Sequence, residues 1–347
     1  MLKTATFQNF TTLPNGEWKL AAGLNVIVGE NGLGKTHVLK ALYALLRVQA
    51  GKSADLSKAV LEKAYADTLV AVMRPESLGR LVKRKQGRER CEIALAMQQD
   101  DCSCAIGFAT NAKSQVEVIR SPQVPLPLSP VYLPTRELVT LCPWFVPLYD
   151  NYHLEFEETW RDTVSLLGAP SVKGPREKKA GRLLEPLEEA IGGKVVVDSQ
   201  NGRFYLQIPG EGRMEMPLVA EGLRKLAMVA RLISTGVLLE QGYLFWDEPE
   251  ANLNPRLIKT VAESILALAA NGIQVFVATH SLFFLRELEM LGGSGRYRGL
   301  ASRYFALKAD VQGVMLEQGD RIDDLQTLVL LDEELAQSDR FMAWEGA

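Results

Sequence analysis

Gly29-Glu30-Asn31-Gly32-Leu33-Gly34-Lys35-Thr36 fills every position of the pattern G-x-x-x-x-G-K-[ST]. It follows a short apolar run ending at Val28 and precedes a helical pattern over 35–48. Strand, glycine-rich loop and helix form the setting in which this pattern holds phosphate. The glycines let successive backbone N–H groups converge on phosphate oxygens, and the helix start adds its partial positive charge. In this reading Lys35 contacts the β- and γ-phosphates of a nucleotide, and the Thr36 hydroxyl ligates Mg²⁺.

Two further strand ends carry matching chemistry. Tyr243-Leu-Phe-Trp-Asp247-Glu248 is an apolar run closed by two acids, and acids there lie where open α/β sheets bind ligands. Asp247 is expected to hold Mg²⁺ directly or through water, and Glu248 to polarise the attacking water. Gln274-Val-Phe-Val-Ala-Thr-His280-Ser is a second buried run with a polar end. His280 would contact a γ-phosphate or orient the water. Read alone, the acids also suit a solvated helix cap and the histidine a structural role; the upstream loop favours the chemical reading.

Around these strands the pattern is α/β. Strand signals occupy 3–10, 18–20 and 23–28, and helical signals with breaks at Pro75 and Gly79 cover 55–85. Alternating segments at 91–97, 102–109 and 115–120 suggest an antiparallel meander. A proline-rich connector leads to a strand end at 131–134, then helices at 154–168 and 176–191 and a hairpin at 194–208. A long helix over 221–240, the strand at 243–246, a helix at 255–270, the strand at 274–278 and a helix at 282–290 alternate as a parallel sheet requires.

Composition narrows the class. The 347 residues carry 39 Lys+Arg against 42 Asp+Glu, a net charge of −3, with 47% hydrophobic and 23% charged residues. These values exclude a collagenous or disordered chain and give no global positive field for nucleic acid. Length alone suggests about two folding units. However, the loop at 29 and the acids at 247 must meet at one nucleotide, so both halves are expected to build one unit. No apolar leader core and no uninterrupted membrane-length run is read, so neither secretion nor a membrane is expected and a cytoplasmic setting is. The four cysteines are too few for a disulfide scaffold, and Cys102, Cys104, Ile106 and Phe108 share one strand face as core residues would.

The three elements in this order resemble the ABC-type ATPase heads of the SMC/RecF and OLD-like group. The likeness extends to Gly23-Leu-Asn-Val-Ile-Val-Gly-Glu-Asn-Gly32, to Asp247-Glu-Pro-Glu-Ala-Asn-Leu-Asn-Pro255 as Walker B and D-loop, and to Thr279-His280-Ser281 as the switch region. The resemblance implies a P-loop NTPase fold of ABC-head type: a mixed, largely parallel core sheet, an antiparallel β lobe and a helical insertion. Residues 1–347 would form a single head: 1–50 and 194–290 as core, 51–193 as meander and insertion, and 291–347 as C-terminal strands and helix.

ATP as the nucleotide follows from the resemblance alone. The family signature falls on Ala220, Glu221 and Gly222, which in such heads touches the γ-phosphate held by a second subunit. Two copies would then form a homodimer around two ATP molecules. Ala220 replaces the usual serine, removing one hydroxyl bond to phosphate; a lost charge-assisted bond costs about 1.5–3 kcal/mol. The glutamine loop is expected at Tyr132-Leu-Pro-Thr-Arg-Glu137, with Arg136 and Glu137 in place of glutamine and a structural ion pair as the other reading of Arg136.

Three functional classes follow: an ATPase subunit of a DNA-related or phage-defence complex, a transporter nucleotide-binding subunit, and a switch that binds ATP without turnover. The Ala-Glu-Gly signature and the long stretch between Thr36 and Glu221 disfavour the transporter, and Glu248 disfavours the pure switch. No heptad arm is present, and the segment after His280 is short for the nuclease domain of OLD-type proteins. A nuclease or toxin effector would therefore be a separate chain. DNA enters only through basic clusters, Arg80, Lys83, Arg84, Lys85, Arg88 and Arg90, then Lys173, Arg176, Lys178, Lys179 and Arg182, which also suit a solvated face. Residues 322–344 read as a helix, either packed on the head or presented to a partner.

Overall fold

The computed structural model describes residues 1–51, 55–84, 89–152, 154–239, 242–311, 313–326 and 328–345. The chain begins with β1 (Leu2–Gln8), β2 (Gly16–Lys19), β3 (Leu24–Gly29), α1 (Lys35–Val48) and α2 (Lys58–Met73). Next come β4 (Arg90–Met97), β5 (Cys104–Ala109), β6 (Glu117–Arg120) and β7 (Val131–Leu133), then α3 (Phe145–Tyr152), α4 (Glu158–Leu167) and α5 (Pro175–Ile191). β8 (Lys194–Val197), β9 (Phe204–Ile208), β10 (Gly212–Glu215), α6 (Glu221–Ser234), β11 (Tyr243–Asp247), α7 (Pro255–Ala270) and β12 (Gln274–Thr279) follow. α8 (Leu282–Gly292), β13 (Ser302–Asp310), β14 (Gly313–Gly319) and α9 (Val329–Glu345) complete the order.

The core sheet runs β14-β13-β3-β12-β11-β7 and is parallel throughout except for β14. Its inner strands are buried on both faces, which is why they read as continuous apolar runs. Alternate residues still separate the two sides. Val26, Val28, Leu244, Trp246, Val275 and Val277 pack toward α6, α7 and α8. Ile27, Phe245, Phe276 and Phe305 face α1 and a second sheet.

That second sheet, β2-β1-β4-β5-β6, is antiparallel throughout. Helix α1 is wedged between the two, with Tyr43 edge-on to Tyr132 at 5.5 Å and Trp18 against Phe305 at 5.0 Å. At the far edge the buried amide of Gln274 accepts from Leu2 N at 2.9 Å and donates to Leu2 O at 2.8 Å, fastening β1 to the core sheet.

The meander is thus found, but it is completed by β1 and β2 from the chain's opening. Conversely β7, assigned by sequence to the insertion, is an edge strand of the core sheet. The helix expected over 221–240 ends at Ser234, because Gly236 turns the backbone at φ 85. Cys102 precedes β5 in a short turn, while Cys104 begins the strand; all four cysteines are free and buried. Among the described residues no group of side chains suited to a metal ion occurs by ligand clustering, and no helix is long and apolar enough to cross a membrane. In α9, Leu330 and Leu331 pack on the core while Leu335, Phe341 and Trp344 are exposed, so the segment both docks and projects.

The insertion is tied to the loop helix by charge. Arg47 reaches Asp162 at 2.5 Å and Glu158 at 2.9 Å, Tyr43 donates to Asp162 at 2.7 Å, and Lys40 pairs with Glu157. These side chains are mostly shielded from water, so removing one partner strands the other. Asp162→Asn is expected to lower stability by about 1.5–3 kcal/mol. The check is the midpoint of urea unfolding, and a midpoint equal to wild type would refute the bridge's contribution.

Candidate functional site

Because β3, β12 and β11 are parallel neighbours, their C-terminal ends open on one edge of the sheet. The loop 29–36, the acids 247–248 and His280 therefore converge, although β12 separates the two strands that carry the loop and the acids.

The loop's shape depends on its glycines. Gly32 and Gly34 sit at φ 83 and 99, and a Cβ on Gly34 would lie 2.6 Å from Leu13 Cδ2. Gly34 ends the loop in the left-handed region and α1 starts at Lys35, so the first free N–H groups of α1 face the loop. Glu30 and Asn31 are exposed at its tip, and buried Leu33 anchors it to the core.

The Lys35 ammonium is buried and donates to Gly29 O at 2.7 Å and Glu30 O at 2.9 Å. Burial lowers its pKa, and the nearby Glu248 and Asp247 carboxylates oppose that shift. Thr36 Oγ1 donates to Asp247 Oδ2 at 2.8 Å. Burial raises the Asp247 pKa, with the Thr36 bond acting the other way. Asp247 Oδ1 is buried and has no hydrogen-bond partner among the described residues. A hydroxyl joined to a buried carboxylate with an open oxygen is a hard-oxygen donor set that suits Mg²⁺.

Glu248 adopts a left-handed backbone at φ 45, held by its N–H on Ala278 O at 2.9 Å. Its Oε1 lies 3.0 Å from His280 Nδ1. The two predicted reactive side chains therefore touch, and both are partly open to solvent, at 27% and 44% exposure.

The turn Ala220–Gly222 lies at the start of α6, and Ala220 makes no side-chain cap bond there. The turn packs on the loop after β11: Glu221 Oε1 accepts from Asn252 Nδ2 at 3.1 Å, and a Cβ on Gly222 would lie 2.9 Å from Asn252 O. Among the described residues no hydrogen bond or ion pair joins Ala220, Glu221 or Gly222 to the loop 29–36.

Among the described residues no hydrogen bond or ion pair joins either substitute expected for the glutamine loop to the acids. Arg136 is exposed. Glu137 accepts from Val139 N and Thr140 Oγ1 at 2.9 and 2.8 Å and pairs with Arg224 of α6 at 2.9 Å. The structural ion pair considered for Arg136 thus belongs to its neighbour.

The basic clusters are partly neutralised. Arg80 pairs with Glu76, Arg90 with Glu92 and Glu117, and Lys179 donates to Leu239 O. Lys85 and Arg88 lie outside the described residues. Lys173 just before α5, and Lys178 and Arg182 within its first half, are exposed.

Three buried side chains near the site escaped the sequence reading. Tyr132 places its hydroxyl 3.5 Å from Asp247 Oδ2. Glu250 accepts from Thr279 Oγ1 at 2.5 Å, and burial raises its pKa. Lys225 is 2% exposed, donates to Glu248 O at 2.7 Å and Ala251 O at 3.2 Å, and burial lowers its pKa to about 8. The third acid of Asp247-Glu-Pro-Glu250 was a visible signal; Tyr132 and Lys225 gave none without their neighbours.

A family model matches residues 143–286; its description reads AAA domain and names the AbiEii toxin of Type IV TA systems. The DNA replication and repair protein RecF of Salmonella arizonae is 32% identical over 96 residues, 26% of this chain and 27% of that protein. The chain therefore matches about a quarter of that curated relative's length. An Smc head solved with the C-winged helix domain of ScpA has a TM-score of 0.57 at 13% identity, over 92% of this chain and 97% of that one. An Smc head domain with an extended coiled coil, solved with the C-terminal domain of ScpA derived from Pyrococcus furiosus, has a TM-score of 0.53 at 11% identity. That match covers 98% of this chain and 99% of that one. At these identities the structural likeness is one of fold.

Proposed function

We infer that this chain, an ABC-type ATPase head of the SMC/RecF group in fold and motif, binds ATP with Mg²⁺ at the loop 29–36 and hydrolyses it. One observation carries the reading: the Lys35 ammonium, the Thr36–Asp247 pair and the Glu248–His280 pair meet at one sheet edge. Lys35 would exchange its two carbonyl partners for phosphate oxygens. Thr36 and Asp247 would hold Mg²⁺, which when bound neutralises charge on the β- and γ-phosphate oxygens. Glu248 accepts the proton of the attacking water, and His280 orients the Glu248 carboxylate or meets the γ-phosphate.

Among the described residues no hydrogen bond or ion pair joins the turn Ala220–Gly222 to its own loop 29–36, which supports a role on nucleotide held by a second copy. Two copies would then enclose two ATP molecules. The toxin–antitoxin wording of the family match and the ScpA-bound neighbours support a separate effector protein, in a phage-defence or other DNA-related complex. Direct DNA binding is the second reading; the RecF likeness and the exposed Lys173, Lys178 and Arg182 favour it. Its affinity would fall steeply with salt.

Calorimetric titration with ATP tests the core of this reading. Binding is expected in the presence of Mg²⁺, weakened about tenfold by EDTA, with hydrolysis abolished under EDTA, because Asp247 then lacks its counter-cation. Equal affinity and turnover with and without EDTA would remove the metal role of Thr36 and Asp247.

A further inference from the structure

The loop from Glu248 to Asn252 is an unusual piece of backbone. Both of its ends are non-glycine residues in the left-handed region, Glu248 at φ 45 and Asn252 at φ 63. Such residues need external support, since the conformation is unfavourable for a side chain with a Cβ. Beside the Glu248 N–H bond to Ala278 O, the first turns of α6 brace both ends of the loop. Glu221 holds Asn252, and four residues on, one helical turn away and on the same face, Lys225 places its ammonium on the carbonyls of Glu248 and Ala251. Gly222 lets the helix approach closely, because a Cβ there would meet Asn252 O at 2.9 Å and Leu253 Cδ2 at 3.1 Å.

Lys225 is an odd residue to bury for stability alone. It is 2% exposed, and among the described residues no carboxylate lies within ion-pair distance of its ammonium. Its hydrogen bonds go to main-chain oxygens, one of them on the residue that carries the proposed general base. Burying an ammonium without a counter-charge carries a desolvation cost that an apolar residue at the same place would not. A buried ammonium on these two carbonyls therefore points to a demand on loop geometry.

We propose that Lys225 is a positioning residue for hydrolysis, joining the Ala220–Gly222 turn to the loop of Glu248 so that the two move as one body. Docking of that turn on a nucleotide held by a second copy and orientation of the Glu248 carboxylate in its own site then occur together. Lys225 touches no reacting atom; it fixes the backbone from which Glu248 projects. The proposal rests on the ATPase reading above and adds a cis link between the site of one copy and the surface it offers to the other.

The test compares wild type, Lys225→Met and Lys225→Gln in two assays, ATP·Mg²⁺ binding by calorimetry and single-turnover hydrolysis. Methionine keeps an unbranched apolar stem without a donor, and glutamine carries an uncharged donor on a side chain one atom shorter than lysine. Each variant is expected to hydrolyse at least tenfold more slowly while its Kd for ATP stays within threefold of wild type. Wild-type turnover in either folded variant overturns the proposal. So does a parallel loss of affinity in both, since a distorted nucleotide site would produce that. Circular dichroism identifies folded variants, and if only one folds, that one decides. A wild-type chain that neither binds nor hydrolyses ATP removes the underlying reading and the proposal together.

Discussion

Lys35→Ala is expected to lose ATP binding by roughly 10²–10⁴-fold while keeping the fold. The ammonium is buried in the loop, and among the described residues its hydrogen-bond partners are the carbonyls of Gly29 and Glu30. Among the described residues it has no ion-pair partner within contact distance; Glu248 and Asp247 act on it from further away. A cation enclosed in this way gains a full counter-charge only when an anion enters the loop. Charge-assisted hydrogen bonds are worth about 1.5–3 kcal/mol each, so two to phosphate account for about 3–6 kcal/mol of affinity. Calorimetric titration with ATP·Mg²⁺ measures the loss. An alanine variant that binds within threefold of wild type would remove the phosphate-loop reading of residues 29–36.

Glu248→Gln should separate binding from turnover. Glutamine keeps the shape of the side chain and its contact distance to His280, but it cannot take a proton from water. General base catalysis typically contributes about 10²–10⁴-fold, so hydrolysis is expected to fall by that range. Lys35 and the Thr36–Asp247 pair are untouched, so the Kd for ATP is expected to stay within threefold. Phosphate release under single-turnover conditions reads the rate. Equal rates in the two proteins would exclude Glu248 as the base.

The parts of this site that local chemistry defines were legible without coordinates. The spacing of Gly29, Gly34, Lys35 and Thr36 marks a phosphate loop, and with that loop upstream the acids at the end of the 243–247 strand read as part of a site on the same sheet edge. The same holds for α1 and α7, whose starts are marked by Gly34 and by Asn254-Pro255. Elements whose signals conflict were missed. Pro147 falls in the first turn of α3, where proline is tolerated, yet it reads as a breaker. Val237, Leu238 and Leu239 continue the apolar period of α6 beyond its stop at Gly236.

Roles set by distant packing left no trace in the sequence. Lys225 sits in a helix whose other basic residues, Arg224 and Arg231, look similar along the chain. Arg224 pairs with Glu137, and Arg231 donates to Leu167 O and Ser171 Oγ past the end of α4. Only the docking of α6 on the loop 248–252 distinguishes Lys225 from them.

The central claim is that one copy supplies only part of each nucleotide site, the remainder coming from the Ala220–Gly222 turn of a second copy. Light scattering of Glu248→Gln, which should hold ATP without consuming it, tests this most directly. A single-copy mass is expected without nucleotide and a doubled mass with ATP·Mg²⁺. A single-copy mass while ATP is bound would contradict the claim.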